Sequence, residues 1–219
     1  SPSFISDKII MRRLLHTVKG IRTSILPPWY TQLEYVSNAS STRLDTWIYH
    51  TSQNTKFVAK TKWVLWSFYL LQSRGTDSAI VWISGSATWN TIRFNYPNVS
   101  LSSSIIRNTS KIYTIQAEWN NWTATLYVKN ETDGIEDTKT ATYSTFSPNN
   151  TQFCVWWNTQ WNFINNGANI YTAQIRQNWV LVFNGIPCKD SNNVAGLYDT
   201  VSQTFKTATV WSIIAWPEV

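Results

Sequence analysis

The strongest structural constraint in the sequence is a pair of alternating runs, KIYTIQAEW (111–119) and WTATLYVK (122–129), which flank two asparagines. Alternation of apolar and polar residues places one set of side chains on each face of a β-strand. Asn120 and Asn121 suit a type I′ turn between two such strands, because asparagine adopts a positive φ more readily than most residues. The segment therefore predicts a β-hairpin.

Similar runs continue along the chain, separated by polar turn residues. The other predicted strands are 31–36, 79–85, 91–97, 140–144, 151–158, 169–176 and 179–187. Residues 62–71 form a longer apolar run, which suits either a strand buried on both faces or a turn or two of helix, and its aromatic and β-branched content favours the strand. Gln177-Asn178 predicts a second tight turn, and 129–139 a polar loop.

After residue 30 the sequence shows no convincing helical period and no internal repeat. It contains 14 Trp and 10 Tyr among many Thr, Ser and Asn, with only 7 Gly. Aromatic and β-branched residues favour a pleated, half-buried surface, and Asn and Ser favour turns. The sequence predicts an all-β fold, a jelly-roll β-sandwich.

Residues 1–29 differ from the rest of the chain in charge. Five cations oppose Asp7 alone and give a net charge of +4, out of +6 for the whole chain; they are Lys8, Arg12, Arg13, Lys19 and Arg22. Pro27 and Pro28 then break any helix. We predict an N-terminal arm at 1–29 and a sandwich domain at 30–219. No run reaches the roughly 20 apolar residues that a membrane helix needs.

A basic arm suits nucleic acid, a membrane surface, an acidic socket on another protein, or a solvated tail. The arm has no helical basic stripe and no base-stacking motif, so the socket and the tail are favoured over nucleic acid.

The stretch NGIPCKDSNNVAGLYDTVSQTF (184–205) has single apolar residues spaced by turn formers. We expect Pro187 to end a strand, Gly196 to supply a positive φ, and Asp199 to bind the amides of the following turn. Leu197 and Tyr198 are expected to insert as a pair, and Val201 and Phe205 to return the chain to the core. The predicted result is a structural latch over the sandwich edge, formed by Pro187, Gly196, Leu197, Tyr198, Asp199 and Phe205.

The same stretch resembles the closing signature of concanavalin-like β-sandwich domains, which occur in many phage structural proteins and related gut-bacterial proteins. YTQLEYVSNASSTRLDTWIYHTSQNTKFVAK (30–60) is similar to the opening strands of that family. KIYTIQAEWNNWTATLYVKN (111–130) is similar to its central hairpin, and NIYTAQIRQNWVLVFNGIPC (169–188) to its penultimate one. Trp47 replaces the usual Gly after Asp-Thr, and Phe183 and Asn184 replace the usual Arg-Asp pair.

The resemblance implies a concanavalin-like jelly roll and a role in the virion, as a fibre, a tail protein or a capsid decoration, often with suspected glycan binding. MRRLLHTVKGI (11–21) resembles the short basic leaders of such proteins, which implies that the arm anchors to other virion proteins. Docking by extended arms commonly accompanies closed symmetry, so we expect a homo-oligomer, with a trimer favoured.

One acidic segment resembles an active site. Related folds include glycoside hydrolases with a Glu-X-Asp-X-X-Glu pattern, which Glu131, Asp133 and Glu136 match. A retaining glycosidase holds its two carboxyl groups about 5–5.5 Å apart, and all three acids must project from one face of a strand. Gly134 and its polar neighbours break such a strand, so we expect a solvated hairpin tip and no enzymatic activity.

Metal and cofactor motifs are also missing from the sequence. Asp133, Glu136 and Asp137 lack the spaced ladder of a calcium loop. His16 and His50 are far apart, and neither has a partner at zinc spacing. We expect neither a metal nor a cofactor.

The tryptophans carry the main functional hypothesis. Aromatic rings stack on the apolar faces of sugars, and amide side chains match sugar hydroxyls. In VWWNTQWNF (155–163) one strand face carries Val155 and Trp157 and the other carries Trp156. The first face is expected to be core, so the predicted glycan-binding residues are Trp156, Asn158, Trp161 and Asn162. The alternative is that Trp156 packs against a second subunit or under a loop. Trp47 and Trp89, expected in loops, are weaker candidates.

Cys154 and Cys188 are expected to be buried thiols, and one disulfide is the alternative. The leading hypothesis is a non-enzymatic virion structural protein, with affinity for host surface glycans as a secondary role. The alternatives are a free carbohydrate-binding module or lectin-like adhesin, and a sandwich glycosidase.

Overall fold

The structure is a computed structural model, which describes residues 25–38, 42–63, 68–74, 80–85, 91–96, 99–143, 148, 150–156, 168–210 and 212–219. Every regular element in these ranges is a β-strand. The first nine are β1 Thr31–Gln32, β2 Val36–Asn38, β3 Arg43–Tyr49, β4 Asn54–Trp63, β5 Phe68–Arg74, β6 Ile80–Gly85, β7 Thr91–Tyr96, β8 Val99–Ile106 and β9 Ile112–Asn120. The other nine are β10 Thr123–Asn130, β11 Ile135–Thr142, β12 Gln152–Val155, β13 Ala168–Gln177, β14 Val180–Lys189, β15 Ala195–Asp199, β16 Thr204–Lys206, β17 Ala208–Val210 and β18 Ile213–Ala215.

These strands form two antiparallel sheets that share one core. The larger sheet has the order β11-β10-β9-β4-β13-β14-β15-β16, with β1 beside β14, β2 beside β13 and β18 beside β2. The smaller sheet has the order β17-β3-β12-β5-β6-β7-β8. The predicted all-β sandwich is confirmed.

The predicted alternation builds the core. Every second residue of β9, from Tyr113 to Trp119, is fully buried, and the residues between them are half-buried. The Trp119 ring stacks on Phe94 of the smaller sheet, with centroids 5.6 Å apart and 25° between the planes. Phe153, also of the smaller sheet, lies 6.3 Å from the same ring. Aromatic contacts between the two inner faces therefore join the sheets.

Both predicted hairpins are present, and each turn lies one residue later than expected. Asn121 and Trp122 connect β9 to β10, and Asn121 has a φ of 51°. Asn178 and Trp179 connect β13 to β14, with φ values of 47° and 68°. The β13–β14 turn thus has positive φ at both central positions, which is the geometry of a type I′ turn, whereas in the β9–β10 turn only Asn121 has a positive φ.

Four segments differ from the sequence-based assignment. The predicted strand 31–36 is divided between β1, which ends at Gln32, and β2, which begins at Val36. The apolar run 62–71 is shared by β4, which ends at Trp63, and β5, which begins at Phe68. The predicted loop 129–139 contains a short turn and then β11, which pairs with β10 from Ile135 onward. No strand is predicted at β8, whose alternate residues Leu101, Ser103 and Ile105 are buried while the residues between them are exposed. An edge strand that buries only one face gives a weak hydrophobic signal.

The closing stretch forms the edge of the larger sheet, but two predictions about its turns are wrong. Pro187 does not end its strand, because β14 continues to Lys189. The proline lies where β14 changes neighbour from β13 to β1, and its carbonyl accepts a hydrogen bond from the Leu33 N–H at 2.9 Å. Gly196 does not adopt a positive φ. It is required by space, since an added Cβ would lie 2.2 Å from the Lys206 carbonyl oxygen.

The other latch residues pack in two places. Leu197 and Tyr198 are both buried, but Leu197 joins the core between the sheets and Tyr198 a second cluster on the outer face of the larger sheet. Asp199 binds backbone amides as predicted. Val201 is 45% exposed, so the prediction that it returns to the core is wrong, whereas Phe205 packs against the second cluster.

The second cluster also holds the start of the described chain. Its buried members are Leu26, Cys188 and Tyr198, and Tyr30, Ile186 and Phe205 pack against them. The Tyr30 ring lies 5.1 Å from Tyr198 and 5.2 Å from Phe205. Near this end the chain terminus also pairs with the sheet, since the Val219 N–H donates to the Gln32 carbonyl at 3.3 Å. Both ends of the described chain therefore lie at the same end of β14.

Candidate functional site

At the opposite end of the larger sheet, two hairpin turns flank the start of β4. Asn54, the first residue of β4, is in register with Asn120 at the end of β9. Its neighbour Thr55 is in register with Gln177 at the end of β13. The β9–β10 turn and the β13–β14 turn therefore project side by side, with the end of β3 nearby. We call this end, comprising residues 47–55, 120–123, 150–151 and 177–180, the turn surface.

Four large aromatic side chains are exposed on the turn surface. Trp47 is 58% exposed, Tyr49 45%, Trp122 56% and Trp179 55%. Their exposure is informative, because a ring that contributed only to folding would be expected in the core. Trp63, Trp119 and other large rings there are completely buried. A group of exposed aromatic side chains on one surface is typical of a binding site.

Two of these tryptophans have an unfavourable backbone conformation. Trp47 has a φ of 64° and Trp179 a φ of 68°. A bulky side chain in the left-handed region costs about 1–2 kcal/mol, which glycine avoids. Strained residues of this kind cluster at functional sites. Tryptophan thus occupies two positions at which glycine would give a more stable fold.

Hydrogen bonds fix the turn surface to the end of the sheet. Gln177 bridges to β3: its Oε1 accepts from the Thr51 N–H at 3.0 Å, and its Nε2 donates to the Tyr49 carbonyl at 2.8 Å. The Ser52 hydroxyl donates to Asn178 Oδ1 at 2.7 Å. The Asn150 N–H donates to the His50 carbonyl at 3.0 Å. These hydrogen bonds therefore hold in place the backbone that carries the exposed rings.

The structure corrects the predicted role of Trp156. Its side chain is fully buried in the core. Its backbone has a φ of 59°, and its backbone N–H donates to the Leu70 carbonyl at 3.3 Å. The expectation of exposure is wrong because the left-handed backbone at Trp156 ends the regular alternation of β12. Asn158, Trp161, Asn162 and Trp89 lie outside the described residues. The arm cations Lys8, Arg12, Arg13, Lys19 and Arg22 also lie outside them.

Of the three carboxylates in the Glu-X-Asp-X-X-Glu pattern, Glu131 and Asp133 lie at the hairpin tip, as predicted, whereas Glu136 lies in β11. Glu131 and Glu136 both pair with Lys129, at 3.3 and 3.8 Å. Glu131 Oε1 accepts a hydrogen bond from the Thr114 hydroxyl at 2.7 Å, which is the main reason that the Glu131 pKa is lowered. Asp133 pairs with Lys111 at 2.7 Å, and this contact lowers the Asp133 pKa. Lowered pKa values keep both groups ionised, whereas a glycosidase acid needs a raised pKa.

Asp137 points in another direction from these acids. Its Oδ2 accepts from the Ser104 N–H at 2.6 Å and the Ser103 hydroxyl at 3.1 Å, and its Oδ1 pairs with Lys139 at 3.0 Å. These contacts attach β11 to β8 at the edge of the sandwich. Among the described residues, no group of three His, Cys, Asp or Glu side chains could hold a metal ion.

Both cysteines are free and buried, as predicted. On the outer face of the smaller sheet, Cys154 stands in register between Asp45 and Gln72, and its Sγ donates to Asp45 Oδ1 at 3.1 Å. Burial raises the pKa of both thiols, Cys154 and Cys188, to about 12. A protonated thiol is a poor nucleophile and a poor metal ligand at neutral pH.

Sequence reasoning missed Tyr49, Trp122 and Trp179 as candidate contact residues and placed Trp47 in a loop, whereas it lies within β3. The sequence does contain a signal for Trp122 and Trp179. In each predicted hairpin a tryptophan follows the asparagine of the turn, where polar residues or glycine are usual.

Comparison with known proteins reveals no family model and no curated protein that matches this sequence. Solved structures do match. A putative carbohydrate binding protein from Bacteroides ovatus superposes with a TM-score of 0.57 at 7% identity, over 86% of this chain and 62% of that one. Domains LG4–5 of the mouse laminin α1 chain match with a TM-score of 0.53 at 11% identity, over 84% and 47%. The LG1–3 region of the laminin α2 chain matches with a TM-score of 0.52 at 11% identity, over 84% and 34%.

The fold is a concanavalin-like β-sandwich. This chain spans less than two thirds of the length of each of those three structures. In the described ranges, no helix has the length and hydrophobicity required to cross a membrane.

Proposed function

We propose that the protein is a non-enzymatic structural protein of a phage particle, which docks by its N-terminal arm and presents the turn surface to host glycans. The observation that carries the proposal is the collection of Trp47, Tyr49, Trp122 and Trp179 on one end of the sandwich, all about half exposed. Their flat faces can stack on the C–H faces of sugar rings, and the neighbouring amides can bind sugar hydroxyls.

The described end of the arm supports the proposed direction of display. Leu26, within the arm, packs beside Ile186 and Cys188 near the end of β14. Trp179 precedes Val180, the first residue of β14. The ten residues of β14 span about 30 Å at roughly 3.3 Å per residue. A sandwich anchored through the arm would therefore hold the turn surface away from the anchor.

The comparisons and the sequence support different parts of the proposal. The Bacteroides ovatus protein, described as a putative carbohydrate binding protein, has the same fold. The virion role rests on the resemblance of residues 30–205 to phage sandwich domains and on the net charge of +4 in residues 1–29. The separate partners of Glu131 and Asp133 favour a binding protein over a glycosidase.

Glycan binding can be tested on an oligosaccharide array, followed by calorimetry. We expect the parent protein to bind at least one oligosaccharide, and Trp122→Ala and Trp179→Ala each to weaken binding about tenfold or more. Trp216→Ala is the matched control, because Trp216 is 43% exposed but packs on Tyr35, near the other end of the sheet. Equal loss in all three variants, or no binding by the parent, contradicts the proposal.

The virion role needs a separate experiment. Mass spectrometry and electron microscopy of purified phage particles should find the protein in stoichiometric amounts. Exchange of Arg12 and Arg13 for glutamate should reduce its incorporation, whereas exchange of the exposed Lys60 on β4 for glutamate should not. A protein that is produced during infection but absent from particles would be a free adhesin instead.

A further inference from the structure

We infer that the turn surface binds an uncharged oligosaccharide of at least three sugar rings, which spans Trp122 and Trp179 and depends on Asn54 as a positioning residue. This inference rests on the proposed glycan binding and goes further by naming the class of glycan.

The ligand class follows from the absence of charge. Residues 47–55, 120–123, 150–151 and 177–180 contain no Asp, Glu, Lys or Arg, although 14% of the chain is charged. His50 is fully buried and its Nε2 accepts a hydrogen bond from Trp119 Nε1 at 3.3 Å, so this nitrogen carries no proton. Acidic sugars are usually held by cationic side chains. A surface without them favours neutral sugars.

The charges next to the turn surface do not change this conclusion. Lys56 and Glu118, two residues inward from Asn54 and Asn120, pair with each other at 3.5 Å. Their charges therefore largely cancel. Arg176 is half-buried and lies one residue inward from the turn surface, in register with Lys56.

The size of the ligand follows from the sheet geometry. Trp122 lies in the turn between β9 and β10, and Trp179 in the turn between β13 and β14, so the centres of the two turns are three strand spacings apart. Neighbouring strands lie about 4.8 Å apart, which places the turns roughly 14 Å apart. That distance is about the length of three linked pyranose rings. Each turn also presents an exposed amide side chain, Asn121 on one side and Asn178 on the other.

Asn54 connects the two turns. Its side-chain Oδ1 accepts from the Asn121 N–H at 3.2 Å, and its backbone carbonyl accepts from the Asn178 N–H at 2.8 Å. Its own N–H donates to the Ser52 hydroxyl at 3.0 Å. One residue thus sets the distance between the turns that carry the two tryptophans. Loss of its side chain frees the Asn121 turn but leaves the backbone contact to Asn178.

The ligand class is tested by calorimetry with matched neutral and carboxylated or sulfated oligosaccharides at two salt concentrations, about 0.05 and 0.5 M NaCl. We expect neutral oligosaccharides to bind at least about tenfold more tightly than acidic ones, and their Kd to change less than about twofold with salt. Tighter binding of the acidic ligand, or a Kd that rises steeply with salt, overturns this inference and leaves glycan binding intact. Failure of every oligosaccharide to bind overturns the proposed function itself.

The positioning role is tested with Asn54→Ala and Asn54→Asp. The aspartate keeps an oxygen that can accept from Asn121, and its charge should matter little to a neutral ligand. We expect Asn54→Ala to raise Kd about tenfold and to speed amide hydrogen exchange at Asn121, and Asn54→Asp to stay within about threefold of the parent. An unchanged Kd in the alanine variant, or equal loss in both variants, contradicts the positioning role.

Discussion

Gly196 lies directly beneath the ring of Phe205, so closely that a Cβ at Gly196 would stand 2.8 Å from two carbons of that ring. The same atom would lie 2.2 Å from the backbone oxygen of Lys206. β15 and β16 can therefore approach each other at the sheet edge only because residue 196 has no side chain. The glycine is required by contact with its neighbours, since its own φ is not positive.

Gly196→Ala should consequently destabilise the protein. The backbone oxygen cannot move aside as a flexible side chain can, and overpacking of this kind costs about 1–3 kcal/mol. Chemical denaturation gives the free energy of unfolding. Gly134→Asn is the control, because Gly134 has a φ of 73° and open space around it, and asparagine tolerates that conformation. If both variants lose the same stability, close packing does not explain Gly196.

The latch could be predicted from the sequence only in part. The stretch was recognisable as a strand edge fastened by Asp199, because its turn residues and its carboxylate act locally. The reason for Gly196 was not recognisable, because the Lys206 carbonyl meets it only after two strands have paired. Alternation likewise predicts the β9–β10 hairpin, whereas residues 135–139, the first part of β11, read as a loop because the outer face of that strand is exposed and polar.

The candidate site was harder to predict, because it also depends on residues that meet only after the strands have paired. Sequence could identify tryptophans as contact residues but could not decide which of them the fold exposes. Trp156 is buried because its backbone leaves the regular strand conformation, which a pattern of residue types does not reveal. Tyr49, Trp122 and Trp179 come from three different segments. The register of β4 with β9 and β13 brings the two turns together, and a hydrogen bond from Gln177 attaches Tyr49 to them.

Asp199→Ala should cause a large loss of stability. The buried carboxylate accepts hydrogen bonds from the N–H groups of Asn184 at 2.9 Å, Val201 at 3.1 Å and Ser202 at 3.3 Å. Removal leaves these donors unsatisfied and should lower the free energy of unfolding by about 2–4 kcal/mol. Asp199→Asn keeps one acceptor oxygen and should cost roughly half as much. An alanine variant as stable as the parent would show that water replaces the carboxylate without cost.

Asp137 should make the stability of the protein sensitive to acid. Burial favours a raised pKa, but hydrogen bonds from Ser104 and Ser103 and the Lys139 contact outweigh it and lower the pKa from 3.8 to about 2. A folded-state pKa below the unfolded value stabilises the fold above the unfolded pKa, and the contribution disappears as the pH falls from about 4 through 2. The difference corresponds to roughly 2 kcal/mol.

The measurement for Asp137 is the free energy of unfolding of the parent and of Asp137→Asn between pH 6 and pH 2. The parent should be more stable at pH 6, and the difference should narrow towards pH 2. A difference that is constant across this range would mean that the carboxylate does not titrate in the folded state as these contacts require.

Cys154 and Cys188 should be unreactive in the folded protein. Burial raises both thiol pKa values to about 12, so almost no thiolate exists near neutral pH. Iodoacetamide at about pH 8, read by mass spectrometry, should label neither cysteine in the native protein and both after denaturation. Rapid labelling of the native protein at either position would show that the thiol is accessible and contradict the packing described for it.

Trp179→Gly should separate stability from binding. Trp179 occupies the second central position of the β13–β14 turn with a φ of 68°. Glycine takes this conformation without strain and should raise the free energy of unfolding by about 1 kcal/mol, while removal of the ring should abolish most oligosaccharide affinity. Trp122→Ala is the comparison, because Trp122 is equally exposed but does not have a positive φ. It should lose affinity without gaining stability. A Trp179→Gly protein that is less stable than the parent would mean that the ring supports the fold, and the argument that tryptophan is kept there for contact would fail.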